Sequence, residues 1–258
     1  MSNYVSKSVR KNILITGASS GLGYEMARQF AAMGRNLAIC ARREDQLLAL
    51  KTELDAINPD IDVLIKPLDV LDYDAVERVF NEVKAYFGQL DRVIVNAGMG
   101  KGQALGKGYF HANRQTAETN FVAAIAQCDA AMAIFREQNA GHLVAVSSLA
   151  ALRGMSGTTM VYSATKAGVA VLMEGLQMDL LDSPIKVTTL FPGYILTDIN
   201  RDMKNVMFRA DLQSGTRSIV KAIEREKPKA YVPGITWWLL GHIMRRLPLR
   251  ILKKAGGQ

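Results

Sequence analysis

An α/β domain on a doubly wound parallel sheet of about seven strands, with helices on both faces, is the fold the sequence predicts. Three observations predict it. Seven short apolar runs alternate with segments of helical period along the 258 residues. The runs are β-branched or leucine-rich and nearly continuously apolar, as strands covered on both faces must be. A glycine-rich turn joins the first run to the first helical segment, where such folds receive a ligand. No repeat, low-complexity stretch or linker breaks the pattern, so one domain over 1–258 is expected, ending in a basic amphipathic segment over 235–258.

The predicted strands are NILIT (12–16), NLAIC (36–40), DVLIK (62–66), RVIVN (92–96), HLVAVS (142–147), KVTTLF (186–191) and AYVP (230–233). Between the first two lies LGYEMARQFAAMG (22–34), which puts Met26, Phe30 and Met33 on one face and stops at Gly34, a C-cap residue. After the third, DYDAVERVFNEVKAYFG (72–88) starts on a capping Asp72 and closes at Gly88. Right-handed crossovers then fix the winding of the sheet.

The net charge is +8, and RRLPLRILKK (245–254) holds much of the excess without one acid. The rest mixes signs and lacks basic–aromatic interleaving, so nucleic acid is not an expected partner. Cys40 and Cys128 are far apart in apolar surroundings, which predicts buried free thiols in a reducing compartment. His111, His142 and His242 are too scattered for a zinc site. No secretory signal and no apolar run of the ~20 residues that span a bilayer is visible, so a cytoplasmic enzyme is expected.

The stretch ILITGASSGLG (13–23) carries the first chemistry. The strand ends at Thr16, and Gly17, Gly21 and Gly23 fill the turn before the helix. Glycines let the backbone approach a pyrophosphate, and a helix N-terminus aims N–H groups and a positive dipole at it. The spacing G-x-x-x-G-x-G lacks the Gly-Lys-Ser/Thr ending of a nucleoside-triphosphate loop, which weakens an ATP reading. Alone, such a turn is weak evidence; its place between strand and helix strengthens it.

TGASSGLG, NAG (96–98), YSATK (162–166) and PGYILT (192–197) come in the order and approximate spacing of the short-chain dehydrogenases/reductases. The chain resembles that family over nearly its whole length, less so after about residue 198. The resemblance implies a Rossmann-type fold, a nicotinamide cofactor and the interconversion of a ketone or aldehyde and an alcohol.

Dinucleotide folds that prefer NAD place a carboxylate at the end of the second strand. Here Ala41 takes that position, followed by Arg42 and Arg43. An arginine fork binds a 2′-phosphate that a carboxylate would repel. NADP(H) is therefore expected, with Arg42 the principal contact, Arg43 secondary and Ser19 a further donor. The alternative is surface arginines balanced by Glu44 and Asp45. By resemblance, Ser20 and Leu22 complete the turn, Asp69 and Val70 meet the adenine, and Asn96, Ala97 and Gly98 line the ribose. Asp69 as a helix cap is the competing reading. By resemblance, the Ile195 backbone and the Thr197 side chain, after the turn at Pro192 and Gly193, hold the carboxamide.

Tyr162 and Lys166 are four apart, on one helical face. Reducing a ketone leaves an alkoxide that needs a proton, and a tyrosine hydroxyl, with a reference pKa of about 10, is a poor donor near neutrality. Lowering it to about 7 takes roughly 4 kcal/mol. One ammonium at ~4 Å, at an effective dielectric of about 20, supplies a similar energy. By resemblance Lys166 also holds the nicotinamide ribose. Ser148, in VAVSSLA, orients the substrate carbonyl, with Ser147 the rival choice. The Ser148–Tyr162 loop is one residue longer than the family's usual spacing, which bears on substrate fit. By resemblance, Asn120 holds a water linking the lysine to solvent; the competing reading is an ordinary interior polar residue.

The substrate surface is expected from Met99–Gly108, a mobile glycine-rich loop, from Leu149–Met160, and from Tyr194 to about Leu212. In the last, Ile199, Met203, Val206, Met207 and Phe208 suit an apolar lid favouring an apolar carbonyl compound, with plain packing the competing reading. In ITWWLLGHIMRRLPLRILKK, Trp237, Trp238, Leu239, Leu240 and Ile243 lie beside Arg245, Arg246, Arg250, Lys253 and Lys254. That composition suits a membrane surface; packing on its own domain or on a partner subunit is the rival. Ala123, Ala124, Ala126, Ala130 and Ala131 would let helices approach closely in a homodimer or homotetramer. The competing function is a non-catalytic NADP(H) sensor or scaffold.

Overall fold

The structure, a computed structural model, describes residues 9–100, 102–197 and 209–255. Strands β1 (Asn12–Thr16), β2 (Asn36–Ala41), β3 (Val63–Pro67), β4 (Arg92–Val95), β5 (His142–Val146), β6 (Lys186–Pro192) and β7 (Lys229–Val232) form one sheet. Their order is β3-β2-β1-β4-β5-β6-β7, and every neighbouring pair is parallel. Each predicted strand is present to within one residue at either end.

Continuous apolarity follows from two-sided burial. Leu14 points into one layer with Val93, Val95, Leu143 and Ala145, while Ile13 and Ile15 point into the other with Ile94 and Val144. The second layer is closed by helices α1 (Gly21–Ala32), α2 (Glu44–Ile57) and α7 (Leu212–Glu224). The first is closed by α3 (Tyr73–Phe87), α5 (Ala123–Gln138) and α6 (Met160–Asp179). The helix α4 (Phe110–Ala117) runs through a π-helical turn, Glu118–Val122, into α5. After β7 come α8 (Ile235–Arg246) and α9 (Leu249–Ala255).

The helix ends obey their sequence signals. Asp72 accepts a hydrogen bond from Ala75 N at the start of α3, and Gly88 closes it in the left-handed conformation. Two expectations need correction. Met33 is the C-cap of α1 and is 42% exposed, because the helix ends one turn after Phe30. Ala123, Ala124, Ala130 and Ala131 are buried within their own core, so they are not free for a partner. Among the large apolar side chains exposed on α6 and on α5 with its leading π turn are Val122, Ile125, Val171 and Met178.

Cys40 and Cys128 are buried free thiols, each pushed up to about 12 by burial. His142, the first residue of β5, is buried: Arg92 Nε donates to its Nδ1 at 2.9 Å, and its Nε2 lies 2.8 Å from Thr188 Oγ1. Among the described residues no group of His, Cys, Asp and Glu has the arrangement of a metal site. None of the described helices is long and apolar enough to cross a membrane.

Candidate active site

The chain order reverses between β1 and β4, and a cleft of about 330 Å³ opens beyond the carboxyl ends of the strands there. The glycine turn forms its floor. Gly17 takes φ +67°, and a Cβ on it would stand 2.8 Å from Ala97 Cα. A Cβ on Gly23 would stand 2.3 Å from Gly17 O and 2.6 Å from Asn96 Nδ2. The first helical turn is thus pressed against the end of β1, and its N-terminus faces the cleft.

Asn96 and Thr16 lock this arrangement. Asn96 Nδ2 donates to Thr16 O at 2.9 Å and Gly17 O at 3.2 Å. Thr16 Oγ1 accepts from the N–H groups of Asn96 and Ala97 at 3.1 and 3.2 Å. Thr16 was legible only as a strand end; its hydroxyl is a structural pin of the site.

Arg42 and Arg43 lie at the cleft's edge in unequal positions. Arg43 Nη2 donates to Ser19 Oγ at 2.9 Å and to Ser20 Oγ at 3.2 Å. The Arg42 side chain is 70% exposed, 4.0 Å from Asp69. Asp69 also accepts from Leu71 N at 3.1 Å, while the cap of α3 is Asp72. Leu22, Val70, Ala97, Gly98, Pro192, Gly193, Ile195 and Thr197 line the same cleft. These residues fit a dinucleotide: glycines leave room for a pyrophosphate, and the Arg43 guanidinium joins two serine hydroxyls beside them.

Ser148, Tyr162 and Lys166 all line this cleft. Ser147 Oγ donates to Lys166 O at 2.8 Å and so braces α6. Ser148 caps the short 3-10 turn Leu149–Leu152, accepting from Ala150 N, and is hydrogen-bonded to Tyr162. Desolvation raises the Tyr162 hydroxyl above its ordinary value; the Ser148 hydrogen bond partly offsets this, and nearby Tyr194 adds to it.

Lys166 is buried and its Nζ donates to Val146 O at 2.8 Å. Burial lowers it to about 8. Its ammonium is thus tied to the carbonyl at the end of β5. A side chain on Gly98 would stand 3.4 Å from Nζ and 3.1 Å from Asn120 Oδ1, so that glycine leaves both groups room. Asn120 sits in the π turn, accepts from Met99 N and donates to Met99 O, both at 2.8 Å. Its Nδ2 lies 3.4 Å from Thr165 Oγ1, which donates to Tyr162 O at 2.7 Å. The π turn is what aims Asn120 inward.

Around the substrate side, Met99 lines the cleft, as do Gln115 and Thr119, two residues the sequence reading passed over within a polar run. The glycine-rich loop is tied at its middle: Asn113 bonds Gln103 N and O at 2.9 and 3.0 Å, and Gly102 packs on Thr158 O. The expected lid residues Ile199, Met203, Val206, Met207 and Phe208 lie outside the described residues.

A family model described as short chain dehydrogenase matches residues 11–206. An "uncharacterized oxidoreductase" of Mycobacterium tuberculosis is 46% identical over 245 residues, 95% of this chain and 97% of its own. A protein of Arabidopsis thaliana named "11-beta-hydroxysteroid dehydrogenase-like 2" is 31% identical over 237 residues, 88% of this chain and 74% of its own. A short-chain dehydrogenase from Streptomyces avermitilis superposes with a TM-score of 0.78 at 26% identity, over 91% of this chain and 93% of its own. Levodione reductase superposes with a TM-score of 0.78 at 24% identity, over 86% and 95%, a likeness of fold.

Proposed function

Because the chain belongs to the short-chain dehydrogenase family, we propose that it is an NADP(H)-dependent oxidoreductase interconverting an apolar ketone or aldehyde and its alcohol. The observation that carries this reading is the meeting of Ser148, Tyr162 and Lys166 with the glycine turn in one cleft. The bound dinucleotide supplies the hydride. Tyr162 gives its proton to the developing alkoxide, and Ser148 orients the carbonyl oxygen. Lys166 holds ribose hydroxyls and, with Asn120, passes the replacing proton toward Tyr162. Arg43, Arg42 and Ser19 hold the 2′-phosphate, since no carboxylate occupies the end of β2.

The apolar substrate class is supported by the name of the plant relative and by Met99 at the cleft wall. Val122, Ile125, Val171 and Met178 are the surface for a homodimer or homotetramer. Two free buried thiols fit a cytoplasmic site of action. The test is loss of NADPH absorbance against a panel of apolar ketones and aldehydes. Turnover supports the reductase reading. Tight NADPH binding with no turnover in either direction across the panel favours the sensor or scaffold, which needs the glycine turn and arginines but not Tyr162.

A further inference from the structure

The C-terminal helices answer one sequence question with two faces. Inward, Trp237 and Gly241 are buried: Trp237 packs on Gly193, and Gly241 faces Leu149 and Leu152. Outward, Ile235 is 80% exposed, Leu249 70%, and Trp238, Leu239, Ile243 and Ile251 about half. A helix with a satisfied inner face has no reason of its own folding to show this much apolar surface outside.

Charge surrounds that surface. Residues 235–253 hold Arg245, Arg246, Arg250 and Lys253 and no acid. A groove of about 550 Å³ between α7, β7 and α8 joins the two chemistries, lined by Ile235 and Trp238 on one side and by Lys221, Arg225, Lys227 and Lys229 on the other. Of these, Lys229 is paired with Glu174 at 2.8 Å. Apolar side chains beside lysines in one hollow match an anionic amphiphile, with a phosphate at the ammonium groups and hydrocarbon against Trp238 and Ile235.

We infer that the outer face of α8 and α9, with this groove, docks the protein on an anionic lipid bilayer. A second copy is a poor occupant: a two-fold interface sets the same patch against itself, which here brings arginine against arginine. A nucleic-acid backbone would leave Ile235, Leu239 and Leu249 without a role. Trp238 lies against His242 with ring centroids 4.3 Å apart and planes tilted by 41°, which holds on the outer face an aromatic of the kind that anchors at headgroup level. The inner face ties this surface to the cleft. Arg153, on the loop after Ser148, donates to Arg245 O at 2.5 Å and Leu247 O at 3.2 Å, and Trp237 lies beside Tyr194. That the carbonyl substrate enters from the bilayer follows only if the reductase reading holds; docking does not depend on it.

The test is flotation of the full chain with vesicles of phosphatidylcholine alone or mixed equally with phosphatidylglycerol, with tryptophan emission read in parallel. Docking predicts co-flotation with the anionic vesicles only, weakened by salt, with a blue shift that Trp238→Phe removes while flotation persists. The pair Ile235→Asp, Leu239→Asp abolishes flotation with circular dichroism and oligomeric mass unchanged. Should that pair unfold the chain, Arg246→Glu with Arg250→Glu makes the same test, with a loss of affinity on the order of tenfold or more. Absence of flotation, flotation indifferent to folded variants, or a change of oligomeric mass in them, which would assign the face to a second copy, overturns the proposal. None of these readouts uses turnover, so failure of docking and failure of the reductase reading are separate results.

Discussion

Arg43 folds back across the glycine turn to Ser19, Nη2 to Oγ 2.9 Å, while Arg42 leans outward toward Asp69. The two arginines thus stand unequally at the cleft. Arg43→Ala should weaken NADPH binding by about 10- to 100-fold, the scale of lost charge-assisted hydrogen bonds. NADH binding should change little, and Arg42→Ala should cost less. Titration of both cofactors checks this. Equal losses for NADPH and NADH would remove the 2′-phosphate assignment.

Gly23 lies where Gly17 O and Asn96 Nδ2 leave no space for a methyl group. Gly23→Ala should destabilise by about 1–3 kcal/mol through overpacking, although alanine favours a helix by ~1 kcal/mol. Dinucleotide affinity should fall with it. Denaturant unfolding and a binding titration read the two effects, and a more stable variant would contradict the described contact.

Lys166 ties stability to pH. Its folded value, about 8, lies below its ordinary 10.5 because burial penalises the ammonium. Between those values the unfolded chain binds more protons, so stability rises with pH there. The cost of the buried charge is complete below about 8 and vanishes above 10.5. Against Lys166→Met, the wild type should gain on the order of 3 kcal/mol across that window in the cofactor-free chain. Parallel curves for the two proteins would show that burial does not act on this amine.

Gly193 and Trp237 couple the cleft to α8. A Cβ on Gly193 would stand 2.3 Å from the indole ring. Gly193→Ala should push α8 outward, lowering Tm by several degrees, the scale of ~1–2 kcal/mol. Arg153→Ala, which uncaps the carbonyls of Arg245 and Leu247, should act in the same direction more weakly. Thermal unfolding compares them; an unchanged Tm in Gly193→Ala would mean the indole can yield.

The sheet was legible because covered strands show themselves as apolar runs, and α3 because Asp72 and Gly88 are local signals. The cleft's parts were legible because the glycine turn and the Tyr162–Lys166 pair are also local. What depends on distant partners was not. Which arginine turns inward depends on Ser19, and the carbonyl that holds Lys166 comes from β5. The small side chains of α5 point to the core rather than outward, a rotation composition does not encode. Arg92, paired with Glu224 and bonded to His142, gave no sign at all, since its partners lie 132 and 50 residues on.

If the Tyr162 hydroxyl moves the proton, its loss must show in turnover and not in cofactor binding. The most direct measurement is turnover of Tyr162→Phe with a carbonyl compound the wild type reduces, beside NADPH affinity of the same variant. Affinity should stay within a few-fold of wild type, and turnover should fall by about 10²–10⁴, the range of lost general acid catalysis. Turnover equal to wild type, with NADPH still bound, would contradict it.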